Sequence, residues 1–221
     1  GLLYYNDNQP EKALAAYKQV ISNYPGSEEA KIALQDLKSV YIDLNDINAY
    51  ASYVNSIGGN IRLEVGEQDS LTYIAAEKLF MRGDNDGARR SLINYLQTFP
   101  EGAFSSNANF YLGSIAFAKK EFDEAIQRFK SVIASGDTKF LEESVARTAE
   151  IEYLSKDYPA ALESFKRLQI VAENPENRQA ARLGIMRCAL QTGQQKDALL
   201  AADELLKEPK LSPELEAEAR Y

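Results

Sequence analysis

The sequence predicts an all-α protein built as a tandem array of about six helical hairpins. Three observations support this prediction: an alanine recurs at nearly constant intervals, short polar turns separate amphipathic stretches, and apolar residues recur every three or four positions within those stretches. A unit of this size buries its apolar face only by stacking on its neighbours, so the array as a whole forms the core.

The repeat is marked by an alanine near the start of the second helix of each unit. These alanines lie 36, 39, 37, 36 and 37 residues apart, at Ala13, Ala49, Ala88, Ala125, Ala161 and Ala198. A larger apolar residue follows four positions later in every unit except the last, where Ala202 stands there. Twelve positions before the alanines lie Gly1, Leu37, Ala76, Gly113, Ala149 and Met186. Four of these are small, so the two helices of a hairpin are expected to pack closely.

The boundaries of the units follow from these signals. We predict hairpins at residues 1–25, 28–58, 67–100, 103–134, 139–173 and 177–208, with 211–221 beginning a further helix. Short polar turns join the two helices of each hairpin at 6–9, 45–46, 82–86, 119–121, 155–157 and 193–195. Capped helix starts are indicated at 8–11, with Asn8 as the polar residue, at 27–29 and at 212–214. Pro25, Pro100 and Pro209 are expected to end second helices.

The longest interval between repeat alanines contains a glycine-rich stretch at residues 58–66. Glycine adopts many backbone conformations, and the surrounding pattern does not continue through this stretch. We therefore predict an extended loop between the second and third hairpins, which is a candidate hinge.

Composition excludes several classes of function. The formal net charge of −8 repels phosphate backbones and anionic headgroups, so no nucleic-acid partner is expected. No uncharged apolar run approaches the length of about 20 residues that spans a bilayer, so no direct membrane insertion is expected in this segment. The single cysteine, Cys188, lies in an apolar run, where a buried hydrophobic role outweighs a reactive thiol.

The sequence offers no catalytic, metal or cofactor site. It contains no histidine, which removes the commonest general base and the commonest zinc ligand. The segment 83–87 faintly resembles a calcium loop, but alignment on its second glycine places Arg82 at the first ligand position. We expect no catalytic residue, no metal and no cofactor, and hence a protein that is not an enzyme.

Two units show a recurrent motif in full. The motif consists of a small residue, an acidic-aromatic pair, an alanine and an aromatic residue, in that order. The fourth unit carries it as Gly113, Glu121-Phe122, Ala125 and Phe129, and the fifth as Ala149, Asp157-Tyr158, Ala161 and Phe165. This pattern resembles the tetratricopeptide repeat (TPR) family over the whole chain. The linkers Tyr24-Pro25-Gly26-Ser27 and Phe99-Pro100-Glu101-Gly102 are most similar to its long-period bacterial members. Glu152 and Met186 depart from the pattern, where an aromatic and a small residue are usual.

The resemblance carries expectations about fold and location. It implies a right-handed superhelical solenoid in which the first helices of successive hairpins line a concave groove. The first and last units are expected to be truncated parts of a longer array. Among compartments, the resemblance favours the periplasm or the outer membrane surface, with the cytoplasm as the alternative.

Equivalent positions in the first helices supply the candidate binding residues. Aromatic residues recur four positions after the small position, at Tyr41, Phe80, Phe117 and Tyr153, and three positions before it, at Tyr73 and Phe110. We call these six residues the aromatic column. A ladder of charges lies one residue after the small position and includes Lys38, Glu77, Glu150 and Arg187. The aromatic column either anchors a partner in the groove or packs between hairpins as core. The charges either select the partner or are simply solvated.

Three interpretations of function remain open at this point. The first is a protein–protein interaction scaffold that binds a peptide or protein in its groove. The second is a structural spacer or an array that self-associates through its terminal hairpins. The third is a regulatory segment of a larger protein.

Overall fold

The computed structural model describes residues 1–58, 62–209 and 211–220, which form thirteen α-helices and no strand. The all-α prediction is therefore confirmed for the described residues. The helices are α1 Leu2–Asn6, α2 Pro10–Asn23, α3 Glu28–Asp43, α4 Ile47–Ile57, α5 Val65–Met81, α6 Asn85–Thr98, α7 Ser105–Ala118, α8 Phe122–Ser135, α9 Leu141–Leu154, α10 Tyr158–Val171, α11 Pro175–Gln191, α12 Gln195–Leu206 and α13 Pro213–Arg220.

The chain divides into two compact units, Gly1–Ala108 and Asn109–Tyr221. In the first unit, α1 packs on α2, α3 on α2 and α4, and α5 on α6. In the second unit, consecutive helices from α8 to α13 pack on one another. None of the described helices is both long and apolar enough to cross a bilayer.

The predicted loop at 58–66 lies partly outside the described residues, which omit 59–61. Its last two residues, Val65 and Gly66, form the start of α5 instead of belonging to the loop. The earlier start follows from Glu64, whose extended backbone places it at the N-cap and whose carbonyl accepts a hydrogen bond from Gln68 N at 2.9 Å.

The repeat alanines line the contact between the two helices of each hairpin. Five of the six are buried, and Ala49 is half-buried. In the fourth hairpin, a Cβ added to Gly113 on α7 would lie 2.8 Å from the Phe129 ring on α8. No side chain fits in that space, which confirms the expected close approach of the two helices there.

The turns within the hairpins share one backbone device that the sequence did not predict. Each contains a residue in the left-handed region with φ between 55° and 81°: Asn8, Asn45, Gly83, Lys120, Lys156 and Gly193. This conformation ends the first helix and reverses the chain within a few residues. It also corrects the predicted cap at Asn8, because that residue belongs to the turn and Gln9 occupies the N-cap of α2.

Replacing Gly83 by alanine is expected to destabilise the first unit by about 1–2 kcal/mol. An added Cβ would meet no atom within 4 Å, so the cost comes from the backbone conformation at φ +81° and not from a clash. Urea unfolding followed by circular dichroism measures the change.

The reverse substitution, Lys156→Gly, serves as the matched control in the second unit. Lys156 adopts the same left-handed conformation, at φ 62°, which glycine adopts without strain. The substitution is therefore expected to raise the free energy of unfolding by up to about 1 kcal/mol. The greater freedom of glycine in the unfolded chain reduces this gain. A neutral Gly83→Ala together with a destabilising Lys156→Gly would contradict the argument.

The departure at Glu152 is explained by its surroundings in the second unit. The residue is 5% exposed and lies on α9 between α8 and α10. Lys130 Nζ on α8 is 3.2 Å from one carboxylate oxygen, and Ser164 Oγ on α10 donates to the other at 2.5 Å. A buried carboxylate with both oxygens partnered replaces the usual aromatic ring there.

Met186 and Cys188 both lie in the apolar core of the second unit. Cys188 is fully buried, and burial raises the pKa of its thiol to about 11. The side chain therefore packs as a small hydrophobic group, as the sequence predicted.

The linker 99–104 between α6 and α7 is fixed by a buried polar network in the first unit. Asp69 on α5 is 8% exposed and accepts from Tyr95 Oη at 2.5 Å and from Ala103 N at 2.9 Å. Phe104 N donates to Tyr95 Oη at 3.0 Å, so the phenol both donates and accepts. A Cβ added to Gly102 would lie 2.4 Å from that oxygen, so this position requires glycine.

Candidate functional site

The second unit contains an open groove of about 280 Å³ between α9 and α11. These are the first helices of two consecutive hairpins, and α10 lies between them as the floor. The repeat itself therefore builds the groove, from the equivalent first helices of two neighbouring hairpins.

The floor of the groove is apolar and closely packed. Phe165 and Leu168 of α10 are buried, and the Tyr153 ring of α9 lies edge-on to the Phe165 ring with centroids 6.4 Å apart. A Cβ added to Gly184 of α11 would lie 2.4 Å from Phe165, so α11 rests directly on that ring. Leu183 continues the apolar surface from the α11 side and is half-buried.

The α9 rim of the groove carries a cluster of three charges. Arg147 Nε donates to Glu143 Oε1 at 2.8 Å, and Arg147 Nη1 donates to Glu150 Oε2 at 2.9 Å. The guanidinium carbon also lies 4.9 Å from the centre of the Phe117 ring, a cation–π distance. One arginine is thus held in place between two carboxylates and an aromatic ring.

The α11 rim carries Arg187, which α13 holds from the side. Its Nε and Nη2 atoms donate to the two carboxylate oxygens of Glu218 at 2.6 and 2.7 Å. This hydrogen bonding raises the pKa of Arg187 above its usual value and lowers the pKa of Glu218 below its own. The bidentate pair keeps both groups charged and fixes the rim.

One end of the groove is organised by Glu142 and the linker that precedes α11. The Glu142 carboxylate accepts from Glu173 N at 2.9 Å, Asn174 N at 3.1 Å and Asn177 Nδ2 at 2.7 Å. Burial alone would raise the pKa of Glu142, but these hydrogen bonds outweigh it and lower the pKa. Asn177 lines the groove, and this contact fixes the orientation of its amide.

The groove brings together three of the ten residues that the sequence singled out: Glu150, Tyr153 and Arg187. Phe117 supports the rim beneath Arg147. Phe110 belongs to the same unit but stacks on Phe140, with centroids 4.2 Å apart.

The remaining predicted residues lie in the first unit. Tyr41 is 5% exposed, and its ring centroid lies 6.0 Å from that of Tyr50. Tyr73 is 2% exposed, and its ring stacks on the Phe104 ring with centroids 4.5 Å apart. Phe80 is half-buried. Of the two predicted charged residues in this unit, Lys38 has its Nζ 3.3 Å from Glu67 Oε1. Glu77 accepts a hydrogen bond from the Tyr73 hydroxyl at 2.6 Å.

Sequence reasoning missed several groove residues. Glu143 and Arg147 are four residues apart on one helix, and this spacing is a signal that could have identified the rim. Gly184 in mid-helix signals a close approach, although it does not reveal which ring it meets. Ala180, an exposed alanine at the groove, carries no signal at all.

Comparisons with known sequences identify repeats in two parts of the chain. Residues 1–27 and residues 75–138 each match a family profile described as Tetratricopeptide repeat. No curated protein matches the chain.

Several solved structures share the fold. MamA from AMB-1 is 14% identical, with a TM-score of 0.56 over 86% of this chain and 98% of that chain. YrrB, described as a TPR protein with an unusual peptide-binding site, is 13% identical, with a TM-score of 0.53 over 93% and 97%. PilW, described as a widely conserved type IV pilus biogenesis factor, is 15% identical, with a TM-score of 0.51 over 98% and 94%. At these identities the similarity shows a common fold alone.

Proposed function

The chain belongs to the tetratricopeptide repeat family, and from that premise we propose that it is a non-catalytic scaffold whose groove between α9 and α11 binds a peptide or a segment of a partner protein. The observation that carries the proposal is the apolar floor of Tyr153, Phe165 and Leu183, open between two charged rims. Protein interfaces combine an apolar centre with a polar periphery in this way.

The size of the groove favours side chains of a partner over a free small molecule. Pockets for drug-sized ligands have volumes of about 300–1,000 Å³ and enclose most of the ligand. This groove, at about 280 Å³, lies at the lower end of that range and is only partly enclosed. It accommodates a few apolar side chains that project from a longer segment.

The chemistry of the groove supports binding without catalysis. Its charged groups are carboxylates and arginines that already pair with one another or with Glu218. No three metal-binding side chains cluster anywhere in the part of the chain that the structure describes. Among proteins of similar fold, YrrB is described as having a peptide-binding site, which is consistent with the proposed role.

Filling the groove with a tryptophan at position 180 is expected to weaken peptide binding strongly. Ala180 is exposed at the groove, so Ala180→Trp adds bulk there without disturbing the core. Peptides of about twelve residues selected on the wild type from a random phage library should bind Ala180→Trp at least about tenfold more weakly in fluorescence anisotropy.

Ala15→Trp provides the matched control, because Ala15 is likewise an exposed alanine within a helix and lies on α2. It should leave binding unchanged, and circular dichroism should show both variants to be folded. If the selected peptides bind Ala180→Trp as tightly as the wild type, or if no peptide is selected, the groove is not the binding site. The spacer and regulatory-segment interpretations predict that outcome.

A further inference from the structure

We infer that the segment bound in the α9–α11 groove carries a lysine or arginine beside its apolar side chains. This inference rests on the proposed function and specifies the chemistry of the partner. The evidence is the balance of charge around the groove and the acceptor oxygens that the glutamates of the α9 rim keep.

The α9 rim has a surplus of negative charge. Glu143 and Glu150 share the single cation Arg147, which leaves one net negative charge on this wall. Each carboxylate uses one oxygen for this contact, so each keeps a second oxygen as an acceptor. Both side chains are more than two-fifths exposed, at 42% and 45%, and can be reached from the groove.

The α11 rim does not offset that surplus. Arg187 is the only cation of this wall among the described lining residues, and Glu218 already engages it through two hydrogen bonds. Asn177 donates one amide hydrogen to Glu142 and keeps its carbonyl oxygen as an acceptor for a ligand. Because Glu218 neutralises Arg187, the negative charge of the α9 rim is not balanced by the α11 rim.

This distribution of charge discriminates between partners of opposite charge. An amine or guanidinium reaches the second oxygens of Glu143 or Glu150 without breaking any existing contact. A carboxylate meets arginines whose charge the glutamates of the α9 rim and Glu218 already neutralise, and it approaches a chain with net charge −8. A cationic flank on an apolar segment is thus the chemistry that fits.

The composition of library-selected peptides tests the inference. Phage selection on the wild type should enrich lysine and arginine over aspartate and glutamate, relative to selection on Ala180→Trp, which has the same net charge. Changing the basic residue of a selected peptide to glutamine should weaken its binding about three- to tenfold. The double variant Glu143→Gln, Glu150→Gln should bind the original peptide more weakly by the same factor, and should bind the glutamine peptide as the wild type does.

A second double variant, Glu28→Gln with Glu29→Gln, controls for overall charge, because both residues are exposed on α3 in the first unit. It should leave binding of the basic peptide within about twofold of wild type at physiological salt, where distant charges are screened. Selection of acidic peptides, or equal binding of basic and glutamine peptides, would overturn the inference while leaving an Ala180→Trp-sensitive groove intact. If no selected peptide responds to Ala180→Trp, the proposed function itself fails.

Discussion

Replacing Phe129 by alanine is expected to destabilise the second unit by about 3–5 kcal/mol. The ring is fully buried on α8 and lies against the backbone of α7 at Gly113 and 6.1 Å from the Phe110 ring. Gly113 has no side chain that can move into the vacated volume, so a cavity remains. Urea unfolding followed by circular dichroism gives the free energy difference.

A double-mutant cycle between these two positions identifies the cause. Gly113→Ala alone is expected to destabilise, because its Cβ would lie 2.8 Å from the Phe129 ring. In the Phe129→Ala background the same methyl group enters the cavity, so its cost should fall close to zero or change sign. Additive effects of the two substitutions would show that the ring and the glycine are not in the close contact described.

The repeat alone was sufficient to predict the helical fold. Twelve residues separate the small position from the repeat alanine, and four more separate that alanine from the large apolar residue. This spacing defines a helical hairpin in which the small position faces the large apolar residue, and Gly113 and Phe129 make that contact. The turn conformation was harder to predict. A lysine such as Lys120 or Lys156 carries no preference for the left-handed region, so only the geometry of chain reversal places it there.

The candidate site could be predicted only in part, because position in the repeat fixes a helix face but not what covers it. Tyr41 and Tyr153 occupy equivalent positions, yet Tyr41 is buried and Tyr153 lines a groove. Tyr73 is covered by Phe104, a residue of the linker before α7. Glu218 holds Arg187 from 31 residues away, a separation at which no helical spacing relates the two.

Removing one hydroxyl group, in Tyr95→Phe, is expected to destabilise the first unit by about 2–3 kcal/mol. The substitution keeps the ring but leaves the Phe104 N–H and the Asp69 carboxylate each without one hydrogen bond in a buried site. It also removes a hydrogen bond that joins the linker 99–104 to α6, the one that Phe104 N donates to the phenol oxygen. Urea unfolding at neutral pH measures this loss, and Tyr24→Phe is the control because Tyr24 is 62% exposed.

The pH dependence of this loss distinguishes a lost hydrogen bond from a general packing defect. Burial, followed by the hydrogen bond to Asp69, raises the pKa of Tyr95 above its ordinary value of 10.0. The folded protein therefore favours the neutral phenol. The contribution of this preference to the free energy of unfolding is fully present below pH 10 and is lost as the pH rises above it. Burial also raises the pKa of Tyr50, to about 12, but Tyr50 is present in both proteins and its effect cancels.

The difference in unfolding free energy between wild type and Tyr95→Phe should therefore be constant between about pH 7 and pH 9 and should shrink above about pH 10. A difference that stays constant through the alkaline range would mean that Tyr95 ionises equally in the folded and unfolded chains. In that case the phenol would not be the buried partner of Asp69 and Phe104, and the linker 99–104 would be held by its other hydrogen bonds, such as those that Ser105 Oγ donates to Phe99 O and Gly102 O.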